Sequence, residues 1–175
     1  MVRIRQQING PVMSFLCPQH HKQLLCSSEQ ATFHWNSWTC EGNKLLALQN
    51  VTQALQFFGC SLDAAIWLVE SGTQTNDIHD AYHLEKLASS VFSIAECCRQ
   101  SQRKDLELHF LLQHHHRLLD SVKIDHSSHW PLAHSIKNSL SKLDDYIEVY
   151  GEFGGYEVCR EESYRKLNQL TRCLN

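Results

Sequence analysis

The chain has 175 residues, 16 basic and 19 acidic side chains, a net charge of -3 and 42% hydrophobic content. That length and apolar fraction suit one domain with an ordinary core, which excludes a disordered chain or a stapled mini-protein, and the near-neutral balance leaves no footprint for nucleic acid. A membrane helix needs ~20 uninterrupted apolar residues. Even the best run, Leu106 to Leu119, is broken by Glu107, His109 and the stretch from Gln113 to Arg117.

Residues 1–12 are polar and end in the turn signal Asn9-Gly10-Pro11, so they read as a flexible extension; Gln6-Gln7 and that turn also stand where a secretory signal would carry its apolar core, so export is not expected. A cytoplasmic protein is expected. The eight cysteines, including the adjacent Cys97-Cys98, then read as reduced thiols, with a framework of disulfides as the alternative.

From residue 13 onward a single all-helical domain is expected. Pro18 suits a helix N1 position, and Ser27 with Gln30 makes a capping-box signature, so two short helices open the domain. Leu48, Val51, Leu55 and Phe58 then recur at helical spacing, with Gln49, Asn50, Gln53 and Gln56 opposite them, until Gly59 stops the helix. Ser61 caps a following helix with Leu62, Ala65, Ile66 and Val69 inward, ending near Gly72 in a loop from Ser71 to Asn76. The longest helix carries the stripe Leu84, Leu87, Ala88, Val91, Ile94, Ala95 and Cys98. Gln100 to Lys104 is a tight turn.

Leu108, Leu111, Leu112, Leu119 and Val122 mark the next helix. Pro131 opens another with Ile136, Leu140, Leu143 and Ile147 inward, and Gly151, Gly154 and Gly155 break it. A last helix starts near Glu157, with Val158, Leu167, Leu170 and Leu174 on its apolar side. No alternating strand pattern flanked by hairpin turns occurs, so the expected class is all-α, with six or seven helices as antiparallel hairpins.

The segment Leu45 to Ser71, read as two helices with Gly59 at the turn and Ala64 at their crossing, resembles a degenerate tetratricopeptide repeat. Leu48, Thr52 and Leu55 replace the usual tryptophan, glycine and tyrosine positions. Ser89 to His114 overlays the same pattern, with Ala95 at the small position and Leu111 at the large one. The two turns, Gly59 and Gln102, lie 43 residues apart, against a family period of about 34; an irregular helical bundle is the alternative architecture. The resemblance implies a groove for a peptide or partner helix, carrying Gln49, Asn50, Gln53, Gln56, Phe92, Glu96 and Arg99. The same residues also read as a solvated helix face.

Two residue types are in excess, with 12 His and 8 Cys. Cys17, His20, Cys26, His34 and Cys40 offer nitrogen and sulfur donors for tetrahedral zinc, the first two at a C-x-x-H separation. His79 and His83 lie four apart on the longest helix, with Asp80 and Glu85 beside them. Seven of the histidines fall between His109 and His134; consecutive helical residues turn by ~100°, so His114, His115 and His116 share no single face. Exposure is their expected role, with a charge response near pH ~6.5 as the alternative. Cys98 reads as core and Cys97, beside Arg99, as the thiol with reactive potential. In the acidic C-terminal region Phe153 and Tyr156 flank Gly154-Gly155 as a candidate contact loop.

Together these features predict a non-enzymatic interaction module, adaptor or chaperone-like, with a protein or peptide partner and no nucleic acid or membrane. A homodimer stays open. A zinc-binding protein using the Cys17 to Cys40 segment or the histidine cluster is the alternative.

Overall fold

The computed structural model describes residues 14–72, 78–122 and 129–172. The expected extension over residues 1–12, most of the loop before Asn76, His126 and Leu174 lie outside the described residues, as do the side chains of His79, Asp80 and His129. Among the described residues the chain forms seven helices and no strand, so the all-α class is the observed one. They are α1 (Pro18–Leu24), α2 (Ser28–Ala47), α3 (Val51–Gly72), α4 (Ile78–Gln100), α5 (Lys104–Asp120), α6 (His129–Tyr150) and α7 (Tyr156–Arg172). No described helix is long and apolar enough to cross a membrane.

Ser27 is the N-cap of α2, its hydroxyl accepting from the Gln30 amide at 3.2 Å, while the Gln30 side chain accepts from Cys26 Sγ rather than closing the reciprocal half of the predicted capping box. The helix that follows is 20 residues long rather than short. Its inward face runs through Ala31, Trp35, Trp38 and Gly42 to Leu45, and the bulky indoles interrupted by polar residues concealed that period in the sequence. Gly42 is small because Phe58 lies against it: a Cβ there would come within 2.7 Å of the ring.

The expected break at Gly59 is absent, because α3 passes through it without interruption. Gly59 is small for contact and not for a turn. A Cβ at this position would lie 2.1 Å from the Phe15 ring, which crosses the helix there. The segment that holds Phe15 is tied down by Asp63 of α3, whose Oδ2 accepts from the Phe15 and Leu16 amides at 2.7 and 2.6 Å and from the Ser14 hydroxyl at 3.1 Å. Ser61, expected as a cap, is buried inside α3 and donates to the Phe58 carbonyl.

The true hairpin turn comes earlier, at Leu48 to Asn50. Gln49 has φ +58°, Asn50 N–H reaches the Leu45 carbonyl, and Gln49 N–H the Leu46 carbonyl, the paired bonds of a Schellman C-cap. Leu48, expected inward, is 77% exposed in that turn. The predicted turn after α4 has the same form, with Gln102 at φ +57°, Arg103 N–H on the Cys98 carbonyl and Gln102 N–H on that of Arg99.

Three-residue turns make α2 and α3, and α4 and α5, antiparallel pairs. Helix α4 is the centre of the molecule, packing on α3, α5 and α6 and touching α2. Phe58 and Leu62 of α3, Leu87, Val91 and Ile94 of α4 and Phe110 of α5 form the main cluster. Complete burial of such side chains contributes roughly 2 kcal/mol each. A polar seam crosses the same layer: Trp35 Nε1 donates to Ser90 Oγ at 2.9 Å, Ser90 and Ser61 share a hydrogen bond at 3.1 Å, and the Lys86 ammonium lies 4.1 and 3.5 Å from the ring centres of Trp35 and Tyr82. A second cluster joins α5, α6 and α7 through Leu118, Ile136, Leu167 and Leu170. Val158, expected on the apolar side of α7, is 67% exposed; the buried face is Cys159, Ser163, Leu167 and Leu170.

Candidate functional site

The residues expected to line a groove fall into two groups. Gln49, Asn50, Gln53 and Gln56 are exposed at the start of α3, where Asn50 Nδ2 donates to Gln53 Oε1 at 2.8 Å. They form a solvated face at a helix N-terminus. Phe92, Glu96 and Arg99 belong to the side of α4 that meets α5 and α6. Phe92 packs edge-on against His114, with ring centres 5.8 Å apart, and Glu96 accepts from Gln100. Arg99 Nε and Nη2 both donate to Oε1 of the fully buried Glu107, at 2.9 and 2.6 Å. Its charge is committed within the fold, which holds that guanidinium protonated.

The expected zinc donors are not gathered. Among the described residues no group of three or more His, Cys, Asp or Glu side chains could hold a metal ion. Cys17, Cys26 and Cys40 are exposed, Cys26 Sγ donates to Gln30 Oε1, and His34 stacks on Trp38 with ring centres 5.1 Å apart. The physical reason lies in the secondary structure: His34 and Cys40 stand on one long helix, where six residues span ~9 Å, and cannot fold round one ion with Cys17. Cys97 is also corrected, since it is as buried as Cys98, and desolvation pushes its thiol up to about 11.

The histidine cluster divides by burial. His109 and His134 are exposed, as expected, and His116 is half-buried, but His114 and His115 are core residues at 3% and 0% exposure. The sequence held the signal for this: Phe110 and His114 are four apart, and Leu111, His115 and Leu118 follow the i, i+4, i+7 spacing of an inward stripe.

His115 links three helices. Its Nε2 is 2.7 Å from Ser163 Oγ of α7 and its Nδ1 is 3.2 Å from Ser139 Oγ of α6. The Ser163 hydroxyl gives its one hydrogen to the Cys159 carbonyl at 2.6 Å, so it accepts from His115. That network assigns the Nε2–H tautomer, with Nδ1 accepting from the Ser139 hydroxyl. Burial holds the ring neutral, with its pKa down at about 4. An imidazole between two hydroxyls resembles nucleophile chemistry, but the three side chains are at most 1% exposed, and the arrangement serves as a tether for α7.

His114 differs, because neither of its ring nitrogens has a hydrogen-bond partner among the described residues. Burial lowers its pKa to about 3, so it is a neutral ring with one donor and one acceptor. It lines a groove whose floor is Leu87 and Val91 of α4. Leu62 and Ile66 of α3 form one wall, and Phe110, Gln113, His114 and Arg117 of α5 form the other. The groove exists because α3 and α5 both pack on α4 but are not among the helix pairs that pack closely on one another. Its cavity is small, 20 Å³, which is room for one water-sized group. No polar residue of this site was singled out from the sequence except as a member of the histidine run.

No protein-family model matches the chain, and no curated protein or solved structure was found to be significantly similar to it.

Proposed function

We propose that the protein is a non-enzymatic cytosolic interaction module, adaptor or chaperone-like, which holds a peptide or partner helix in the groove over α4 between α3 and α5. The observation that carries this reading is the buried His114 in the α5 wall of that groove, neither of whose ring nitrogens has a partner among the described residues. A buried polar group without a partner costs ~1–3 kcal/mol, a cost that a bound partner group would offset. The groove's mixture of aliphatic walls with Gln113 and Arg117 suits a protein surface, and the reading does not depend on tetratricopeptide geometry. A reducing compartment is supported by the seven described cysteines, all of which are free.

The groove replaces the surface expected from the sequence, where Arg99 and Phe92 are already engaged internally. A photo-reactive amino acid placed at Ile66 or Gln113 in cells should give one dominant cross-linked protein, and the same probe at Gln53 should not. Adducts from Gln53 with none from the groove positions would reject the assignment.

A further inference from the structure

We propose that α7 is an acid-released cover: when His115 takes up a proton, α7 swings off α5 and α6 about Gly154-Gly155 while the core of α3, α4 and α5 stays folded. The histidine tether is then a latch set by pH.

Three observations converge on this device. First, α7 is held by little, since its backbone packs closely on α6 alone and its buried face is Cys159, Ser163, Leu167 and Leu170. The main cluster contains no residue of α7, so that core survives its departure. Second, the connection carries a pivot. Phe153 rests on Tyr146 of α6, with ring centres 6.3 Å apart, and is followed by Gly154 and Gly155, where a Cβ would meet nothing within 4 Å. Among the described residues two side-chain hydrogen bonds join α7 to other helices, Tyr156 to Asp144 and Ser163 to His115. Tyr156 lies at the pivot, so the bond that opening must break is the one to His115.

Third, His115 is enclosed without a counter-charge of its own. The titratable groups around it are His114 and His116 of α5, Asp144 of α6 and, on α7, the Cys159 thiol, which burial holds protonated. Asp144 is the acid among them, and it already accepts from the Tyr156 hydroxyl. A proton from solvent enters at Nδ1, the nitrogen that accepts from Ser139, and leaves an imidazolium sealed from water. Lifting α7 frees the Nε2 edge and hydrates the charge.

Burial keeps the ring at about 4 with α7 in place, against ~6.5 for a hydrated imidazole. Between those values the open form binds more protons, so opening grows as the pH falls. Linkage across that gap makes the open-to-closed ratio at pH 5 about twentyfold that at pH 7. Opening uncovers Leu118, Leu119 and Ile136 together with Leu167 and Leu170 of α7, so apolar surface is presented only in acid.

The test labels the thiols of the intact protein with 4,4′-dithiodipyridine, a disulfide that reacts at acid pH, and follows each cysteine by mass spectrometry. Cys159 reports the opening of α7, Cys97 and Cys98 on α4 report unfolding of the core, and the exposed Cys40 is the internal reference. The proposal predicts that Cys159 is labelled well before Cys97 and Cys98, and that its rate relative to Cys40 rises about twentyfold from pH 7 to pH 5. His115→Gln, which keeps a donor and an acceptor without a titratable ring, should hold that rise below about threefold. His114→Phe should leave it in place. Labelling of Cys159 in step with Cys97 and Cys98 would overturn the proposal and assign the acid response to unfolding of the whole molecule. A Cys159 rate that ignores pH, or a rise that persists in His115→Gln, would overturn it equally. The comparison of Cys159 with Cys97 and Cys98 uses the unsubstituted protein, so it decides the matter even where His115→Gln fails to fold.

Discussion

Gln49 and Gln102 occupy left-handed backbone that ordinarily favours glycine, at φ +58° and +57°. An L-residue there costs roughly 1–2 kcal/mol relative to a relaxed conformation, and glycine avoids most of it. Gln102→Gly should therefore raise stability by about 1 kcal/mol, read as a higher urea midpoint with an unchanged slope; a lower midpoint would mean that the glutamine side chain contributes to the turn. His114 presents the opposite case, a side chain that the fold itself would be better without. His114→Phe keeps an aromatic ring against Phe92 and removes two unpartnered nitrogens, so it should stabilise the protein by about 1 kcal/mol. A loss of stability would show that the imidazole is satisfied within the free protein.

At the level of elements, the apolar stripes of α4, α5 and α6 were legible in the sequence because leucine, isoleucine and valine repeat there without bulky interruptions. Helix α2 was under-read because tryptophans supply its inward face and polar residues crowd between them. Gly59 misled for a different reason. Glycine serves turns and close contacts alike, and only the three-dimensional position of Phe15 distinguishes them. The contact account makes a prediction in the form of a double-mutant cycle. In the Phe15→Ala background, Gly59→Ala should gain about 1 kcal/mol of helix stability. With Phe15 present, the same change should destabilise, because the ring must move from a Cβ at 2.1 Å. Equal effects in both backgrounds would contradict the account. The groove was illegible for a related reason: its lining comes from three helices, and its polar members Gln113, His114 and Arg117 stand in one stretch that reads as a solvated face.

For the molecule as a whole, the buried His114 and His115 tie stability to pH. Their folded pKa values lie at about 3 for His114 and about 4 for His115, below the ~6.5 of an unfolded chain. Below that unfolded value the unfolded state binds more protons, so stability is fully present above pH ~6.5 and falls as the pH drops toward 4. The slope contributed is up to ~1.4 kcal/mol per pH unit for each ring. Urea midpoints measured at pH 7 and pH 5 should show that loss, and His114→Phe should roughly halve it. A midpoint independent of pH over this range would mean that one or both rings titrate near their ordinary value in the folded protein.

The central claim is that a partner occupies the groove over α4 and not the glutamine face at the start of α3. Co-purification of the protein's own partner, expressed at native level, tests it when Ile66→Lys is compared with Gln53→Lys. Lysine at either half-exposed or exposed position can extend its ammonium to water, and matched melting curves would establish that both variants fold. The account predicts that Ile66→Lys loses the partner and Gln53→Lys retains it at wild-type stoichiometry; retention by Ile66→Lys with loss from Gln53→Lys would contradict it.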